Sequence, residues 1–264
     1  MLAEHRDDAR ILAGGQSLIA SLNLRLSEPR VLVDITHLPD LSGITVADGV
    51  LSIGALVRHV EIDRSELVRI HVPLLAQAVR HVAHPAIRNR GTIGGSLSLN
   101  DPAAEYPACA VALGATMRLR GPAGMRRVPA AEFFRGVYAT ALRPDEMLEA
   151  AEFPVQRSGE RSVFLELARR HGDYAMVGLA VHGRLGQGGA EALRCVFMAV
   201  GDGPVEARSA AAAACTGPRN SRLAAAQAAL ADDLDPAGDL NASPATRLHL
   251  ARVLLGRALA EFAA

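Results

Sequence analysis

The spacing of apolar positions changes along this chain, and each change marks an element. Residues 9–13 read as a short strand that runs into Gly14-Gly15. Ser17 then stands where a helix cap belongs. Leu18, Leu22 and Leu26 follow at helical spacing, so a helix is predicted to about Leu26, stopped by Glu28-Pro29. Val31–Ile35 alternates as a strand, and Ile44–Val46 with Leu51–Ile53 flank Asp48-Gly49, a hairpin turn pair. A helix is predicted from Ser65 or Pro73 to Val82, and another from Asp101-Pro102, read as cap and first residue, to Leu113. Glu105 falls in the first turn of that helix, where the dipole favours an anion. Met117–Leu119 and Arg127-Val128 form a hairpin around Gly121–Gly124, and Glu149–Pro154 is a strand ending at the linker Gln156-Arg157-Ser158-Gly159.

Beyond the linker the order of elements inverts. Val163–Leu167, Ala175–Gly183 and Leu193–Val200 read as sheet strands, with a turn at Gly186-Gln187-Gly188-Gly189. Three Ala- and Leu-rich helices follow, near 206–215, 221–231 and 244–262, with Ser221 and Ser243 as caps and Gly217-Pro218 as a stop. Strands first and helices last give an α+β arrangement.

Composition narrows the chemistry. The chain has 264 residues, 50% of them hydrophobic, enough for a substantial core. No apolar run approaches the ~18 residues of a membrane span, and the charged start, Met1 to Asp8, is unlike a secretory signal, so a cytoplasmic location is expected. Twenty-eight basic residues balance twenty-eight acidic ones, and no basic block is interleaved with aromatics, so nucleic acid is not an expected partner. Cys109, Cys195 and Cys215 form no C-x-x-C pair and lie in apolar surroundings, which argues against iron–sulfur or structural zinc sites made by this chain. His81 and His84 have a metal-like spacing without a third ligand nearby, so no metal is assigned.

Two segments remain, Ala13-Gly14-Gly15-Gln16-Ser17 and Thr92-Ile93-Gly94-Gly95-Ser96. Each joins a Gly-Gly pair to hydroxyl side chains. Glycine reaches φ > 0 and has no Cβ, so a phosphate can approach the main chain and collect amide donors. Each hydrogen bond to such an acceptor contributes roughly 1.5–3 kcal/mol. Either segment alone reads more readily as a tight turn. Two of the same form suggest the halves of one dinucleotide cradle.

These segments, the stretch Ile87–Leu97 with Asp101-Pro102-Ala103-Ala104-Glu105-Tyr106-Pro107-Ala108, and Gly172-Asp173-Tyr174-Ala175 occur in this order. Together they resemble the FAD-binding medium subunit of the molybdenum hydroxylases, the carbon monoxide dehydrogenase and xanthine dehydrogenase type, over nearly the whole chain. The resemblance implies an FAD-binding region of the vanillyl-alcohol-oxidase type over 1–156, built of two subdomains, and a C-terminal domain of strands backed by helices over 160–264. It implies that Ala13, Gly14, Gly15, Gln16, Ser17, Thr92, Ile93, Gly94, Gly95 and Ser96 surround the FAD pyrophosphate. Asp101 would accept from ribityl or adenosine hydroxyls or cap its helix, Leu148 would lie near the flavin ring, and Tyr174 would cover the isoalloxazine face. Arg88 and Arg90 either balance phosphate charge or are solvated surface arginines.

The implied role is electron transfer. FAD would pass electrons from the [2Fe–2S] clusters of a small subunit to NAD, a quinone or oxygen, beside a large molybdenum-cofactor subunit that hydroxylates the substrate, in a doubled three-subunit assembly. Two other readings stay open: a self-sufficient FAD-dependent oxidoreductase of related fold, and a non-catalytic flavin-binding module. Family members carry roughly twenty more residues before the first cradle segment, a strand and most of a helix. A truncated or late-called start, with an exposed apolar face, is therefore expected.

Overall fold

The computed structural model describes residues 1–186 and 189–264. A short helix α1 (Leu2–His5) leads into β1 (Ala9–Leu12), which pairs in parallel with β2 (Val31–Asp34). Between them lies α2 (Leu18–Asn23), shorter than its leucine spacing predicts. Arg25 takes φ 55 and breaks the helix, so Leu24 and Leu26 are 70% and 77% exposed instead of packed. Ser17 occupies the cap position but its hydroxyl makes no capping bond.

The hairpin β3 (Ile44–Ala47) and β4 (Val50–Gly54) turns on Asp48 and Gly49, both left-handed at φ 50 and 75, as the sequence signal requires. After it the chain makes four short helices: α3 (His59–Arg64), α4 (Glu66–His71), α5 (Pro73–Ala78) and α6 (Pro85–Arg88). Both predicted starts are real, because Ser65 accepts from the Val68 amide and Pro73 opens α5. α7 (Ile93–Leu99) and α8 (Glu105–Leu113) follow. The second Gly-Gly pair is therefore the first turn of a helix preceded by α6, and not a loop after a strand.

Asp101-Pro102 does not open α8. Asp101 Oδ1 accepts from the Ala103 amide at 2.9 Å, closing a turn of its own, and the helix starts three residues past Pro102, at Glu105. β5 (Thr116–Gly121), β6 (Gly124–Pro129), a short helix α9 (Ala130–Phe133), the hairpin β7 (Phe134–Gly136) and β8 (Ala139–Thr140), and β9 (Met147–Pro154) complete this half. β9 is the third strand of an antiparallel sheet ordered β3-β4-β9-β5-β6.

The second sheet is antiparallel in the order β10-β11-β12-β13, from β10 (Glu160–Ala168), β11 (Ala175–Gly186), β12 (Gly189–Met198) and β13 (Val205–Glu206). Gln187 and Gly188, the centre of the predicted turn, lie outside the described residues. Helices α10 (Arg208–Cys215), α11 (Arg219–Asp233) and α12 (Pro244–Ala263) follow. Ser243 caps α12 by accepting from the Thr246 amide, whereas Ser221 lies inside α11, whose cap position is Pro218.

Alternation along β10 and β12 serves two cores. Val163, Cys195 and Phe197 face one built with α10, α11 and α12, while Phe164, Val196 and Met198 face the other, shared with α5, α7 and α8. Gln77 fastens the seam, donating to the Ser162 carbonyl and accepting from the Phe164 amide. Cys109 and Cys195 are buried free thiols, pushed up by burial, Cys195 to about 12. No helix among the described residues is long and apolar enough to cross a membrane.

Candidate functional site

A cavity of about 710 Å³ opens between the β1–β2 unit, the chain around α7, and the start of β11. That volume lies in the range of small-molecule and cofactor sites, roughly 300–1,000 Å³. Its wall holds Ala13, Gly14, Gly15, Gln16 and Ser17 on one side, and Thr92, Gly94, Gly95, Ser96 and Asp101 on another. Leu148 and Tyr174 also reach it. Of the residues singled out in the sequence for the cofactor, Ile93, Arg88 and Arg90 do not line it. The Ile93 side chain is fully buried in the larger core and its amide donates to the Val57 carbonyl.

The two Gly-Gly segments touch each other. A Cβ on Gly14 would meet the Arg90 carbonyl and stand 2.8 Å from Gly91 Cα, so glycine there permits backbone to lie on backbone. Of the four paired glycines, Gly15 alone has positive φ, at +73. Gly94 is needed for a different reason, since its Cβ would collide with Ala55, 2.5 Å from that residue's carbonyl oxygen. The side on which a Cβ would stand faces protein, while the residue's other side borders the cavity.

The amides divide the same way. No protein acceptor is found among the described residues for the amides of Gly14, Gly15, Gln16 and Ser17. In the second segment the Gly94 amide donates to the Ala55 carbonyl at 3.0 Å, Gly95 to Thr92 Oγ1 at 3.1 Å, and Ser96 to the Thr92 carbonyl at 3.1 Å. The first segment presents unspent donors. The second offers hydroxyls and a rigid wall.

Several residues of this wall carry no motif. His59 is 5% exposed, and its ring lies 5.3 Å from that of fully buried Tyr106. A Cβ on Gly91 would meet His59 Nε2 at 2.6 Å, so the imidazole underlies the entry to the second segment. Burial, helped by the Arg88 charge, pushes its pKa down to about 4, so the ring is neutral. His59 Nδ1 and the Tyr106 hydroxyl are both buried without a hydrogen-bond partner. Glu105, also in the wall, is raised to about 7 by burial, against its own backbone hydrogen bond and with the Asp101 charge adding to the shift. Its place in the first turn was legible. That burial outweighs the helix dipole was not.

Arg88 does not lie free in solvent, because its guanidinium donates to the Val82 and Ala83 carbonyls, both at 2.9 Å, and it stands outside the cavity wall. Tyr138, at φ 53 on the tight link between β7 and β8, stands at the rim with its hydroxyl beside Asp101, which raises its pKa. Buried Asn100, left-handed at φ 51, holds that link by donating to the Gly136 and Ala139 carbonyls. Tyr174 is 79% exposed where it borders the cavity, and it too feels the Asp101 charge. Only positive-φ positions and buried polar residues would have flagged this set, and neither can be read from composition.

The family models match in two blocks: the FAD binding domain in molybdopterin dehydrogenase over residues 1–156, and the CO dehydrogenase flavoprotein C-terminal domain over 162–262. The 6-hydroxypseudooxynicotine dehydrogenase complex subunit alpha of Paenarthrobacter nicotinovorans is 36% identical over 99% of this chain and 89% of that relative. The carbon monoxide dehydrogenase medium chain of Hydrogenophaga pseudoflava is 38% identical over 69% of this chain, a match spanning 63% of its own length. Among solved structures, carbon monoxide dehydrogenase from Hydrogenophaga pseudoflava superposes with TM-score 0.94 at 34% identity, covering 99% of this chain and 91% of that one. Quinoline 2-oxidoreductase from Pseudomonas putida 86 gives 0.93 at 38% identity with the same coverage. On this evidence the chain belongs to the FAD-binding medium subunits of the molybdenum hydroxylase family.

Proposed function

We propose that this chain seats FAD in the cavity between its two glycine segments and works as the electron-transfer subunit of a molybdenum-containing dehydrogenase. The observation that carries this is the row of unspent amides from Gly14 to Ser17 facing a cavity with few charges in its wall. A diphosphate satisfies such donors, and the orphaned His59 Nδ1 lies ready for a polar group of the ligand or a water bound with it. When bound, FAD exchanges electrons singly or in pairs.

The residues around it bind and orient. Gly14, Gly15, Gln16 and Ser17 supply amides and a free hydroxyl to the diphosphate, while Thr92, Gly94, Gly95 and Ser96 form the facing wall. The carboxylates of Asp101 and Glu105 accept from sugar hydroxyls. Leu148 gives an apolar floor to the ring, and Tyr174 and Tyr138, both bordering the cavity, close over it. Residues 1–156 form the cofactor-binding unit and 160–264 the unit that brings in Tyr174.

Among the described residues no group of three or more His, Cys, Asp or Glu side chains is arranged to hold a metal. Electrons therefore arrive from a partner. The relatives are named as subunits or medium chains of complexes, which supports a small subunit with [2Fe–2S] clusters as donor and a large molybdenum-cofactor subunit as the site of substrate oxidation, two copies of each. NAD, a quinone or oxygen then takes the electrons.

Purification of the chain with its neighbouring gene products tests this. One FAD per chain and co-elution with an iron–sulfur and a molybdenum polypeptide are expected. A colourless chain that refuses added FAD overturns the reading, and substrate turnover by the isolated flavinated chain supports the self-sufficient oxidoreductase instead.

A further inference from the structure

Strand alternation makes Glu166 an anomaly. On β10 the side chains of Val163, Leu165 and Leu167 pack on the C-terminal core, and Phe164 turns to the larger one. Glu166 shares the face of Phe164, so a carboxyl occupies a core position on a seam strand. Its side chain is 4% exposed and its Oε2 has no hydrogen-bond partner. Acids are almost never buried unless paired, and leaving one unpaired is costly enough that the site must favour the neutral form.

His81 Nδ1 lies 3.9 Å from that oxygen. The His81 ring stands 5.3 Å from Phe164 and is 36% exposed, so it reaches both the buried carboxyl and solvent. Glu105 lines the cavity and is close enough for its charge to act on Glu166. The molecule thus holds one titratable group in the cavity wall, one buried in the seam and one that reaches solvent.

We propose that Glu105, Glu166 and His81 form a proton relay that serves the cavity. The proposal rests on the electron-transfer reading above. Two electrons delivered by an iron–sulfur partner, or by dithionite in vitro, bring two negative charges into a site of low dielectric, and two protons from solvent must accompany them to convert FAD to its dihydro form. Glu105 gives its proton toward the cavity and is reloaded from Glu166, and Glu166 is reloaded through His81 from bulk water. No proton is created or stored beyond those taken from solvent.

The raised acids suit this use. Burial raises both acids, Glu166 to about 8 with the Glu105 charge added and Glu105 to about 7, so both can exchange protons near neutrality. The titratable or charged neighbours are few. Around Glu105 they are Asp101, Tyr106, Cys109 and Tyr174, with Arg88 and Asp63 acting on Tyr106. Around Glu166 they are Glu105 and His81, with His171 acting on His81.

Infrared spectroscopy of the full chain, without cofactor, should show protonated-carboxyl absorption at pH 7 that is largely gone by pH 9, and Glu166→Gln should remove the part of it that persists above pH 7. With FAD bound, a dithionite titration should place a break between pH 7 and 8 in the pH dependence of the midpoint potential. Glu166→Gln and Glu105→Gln should each remove or displace that break. Should Glu166→Gln fail to fold, His81→Asn leaves the buried acid in place and should slow proton uptake on reduction, followed with an indicator dye, severalfold. An absent carboxyl band, unchanged pH profiles in both glutamine variants, or equal uptake rates for His81→Asn overturn the relay. Failure to bind FAD instead sinks the electron-transfer reading, and the infrared band remains a separate test of the buried acid.

Discussion

The two glycine segments look alike as letters and differ as physics. Around Gly14-Gly15 the chain leaves a strand, Gly15 turns left-handed, and four successive amides point at no protein acceptor. Around Gly94-Gly95 the chain enters a helix with ordinary φ, and every amide from Ile93 to Ser96 is already bonded to protein. The first is built to bind. The second is built to be rigid, held by Ala55, Val57, Thr92 and the buried His59. A Gly-Gly pair therefore has at least three causes in one molecule: left-handed backbone at Gly15, backbone resting on backbone at Gly14, and helix packed against chain at Gly94.

The sharpest break in this comparison is Gly94→Val. Two branches driven into the Ala55 backbone should cost more than about 3 kcal/mol, because neither helix nor hairpin can yield without losing its bonds. A urea melt of the cofactor-free chain should show the loss, and a wild-type midpoint would refute the packing role.

Acid attacks the same segment from beneath. His59 is held at about 4 against an ordinary value of 6.5. The neutral ring's stability is fully present above pH 6.5 and is lost as pH falls through that value toward 4, by up to about 3 kcal/mol. Denaturation midpoints taken across this range should drop for the wild type and stay flatter for His59→Gln.

Gly15→Ala is milder for folding and sharper for binding. Left-handed backbone costs a residue with a Cβ about 1–2 kcal/mol, and Ile19 Cγ1 would stand 3.1 Å from the new methyl. Calorimetry should show FAD affinity reduced tenfold or more, with only a small shift in melting temperature. Gly95→Ala, whose Cβ would meet Thr92 Oγ1 alone at 3.1 Å, should change stability by less than about 0.5 kcal/mol. Equal damage from Gly94→Val and Gly95→Ala would erase the distinction within the pair.

Much of the scaffold was legible because its signals are local. Asp48-Gly49 needs only its own left-handed preference, and Ser243-Pro244 its own cap chemistry. Asp101-Pro102 misled because the same side-chain oxygen that caps a helix also closes a turn. Leu26 misled because leucine spacing carries no knowledge of the left-handed Arg25 before it. His59, Glu166 and Asn100 sent no signal at all, since a polar residue acquires meaning from burial and burial comes from distant strands.

Sequence alone determined the family, the order of the main strands and helices, and which two segments would line one cavity, because motif spacing and local periodicity survive without coordinates. The tertiary structure decided which amides stay free, which glycine faces protein, and which acids lose their charge. Those properties are set by the distance between residues far apart in the chain and by the water they exclude from one another.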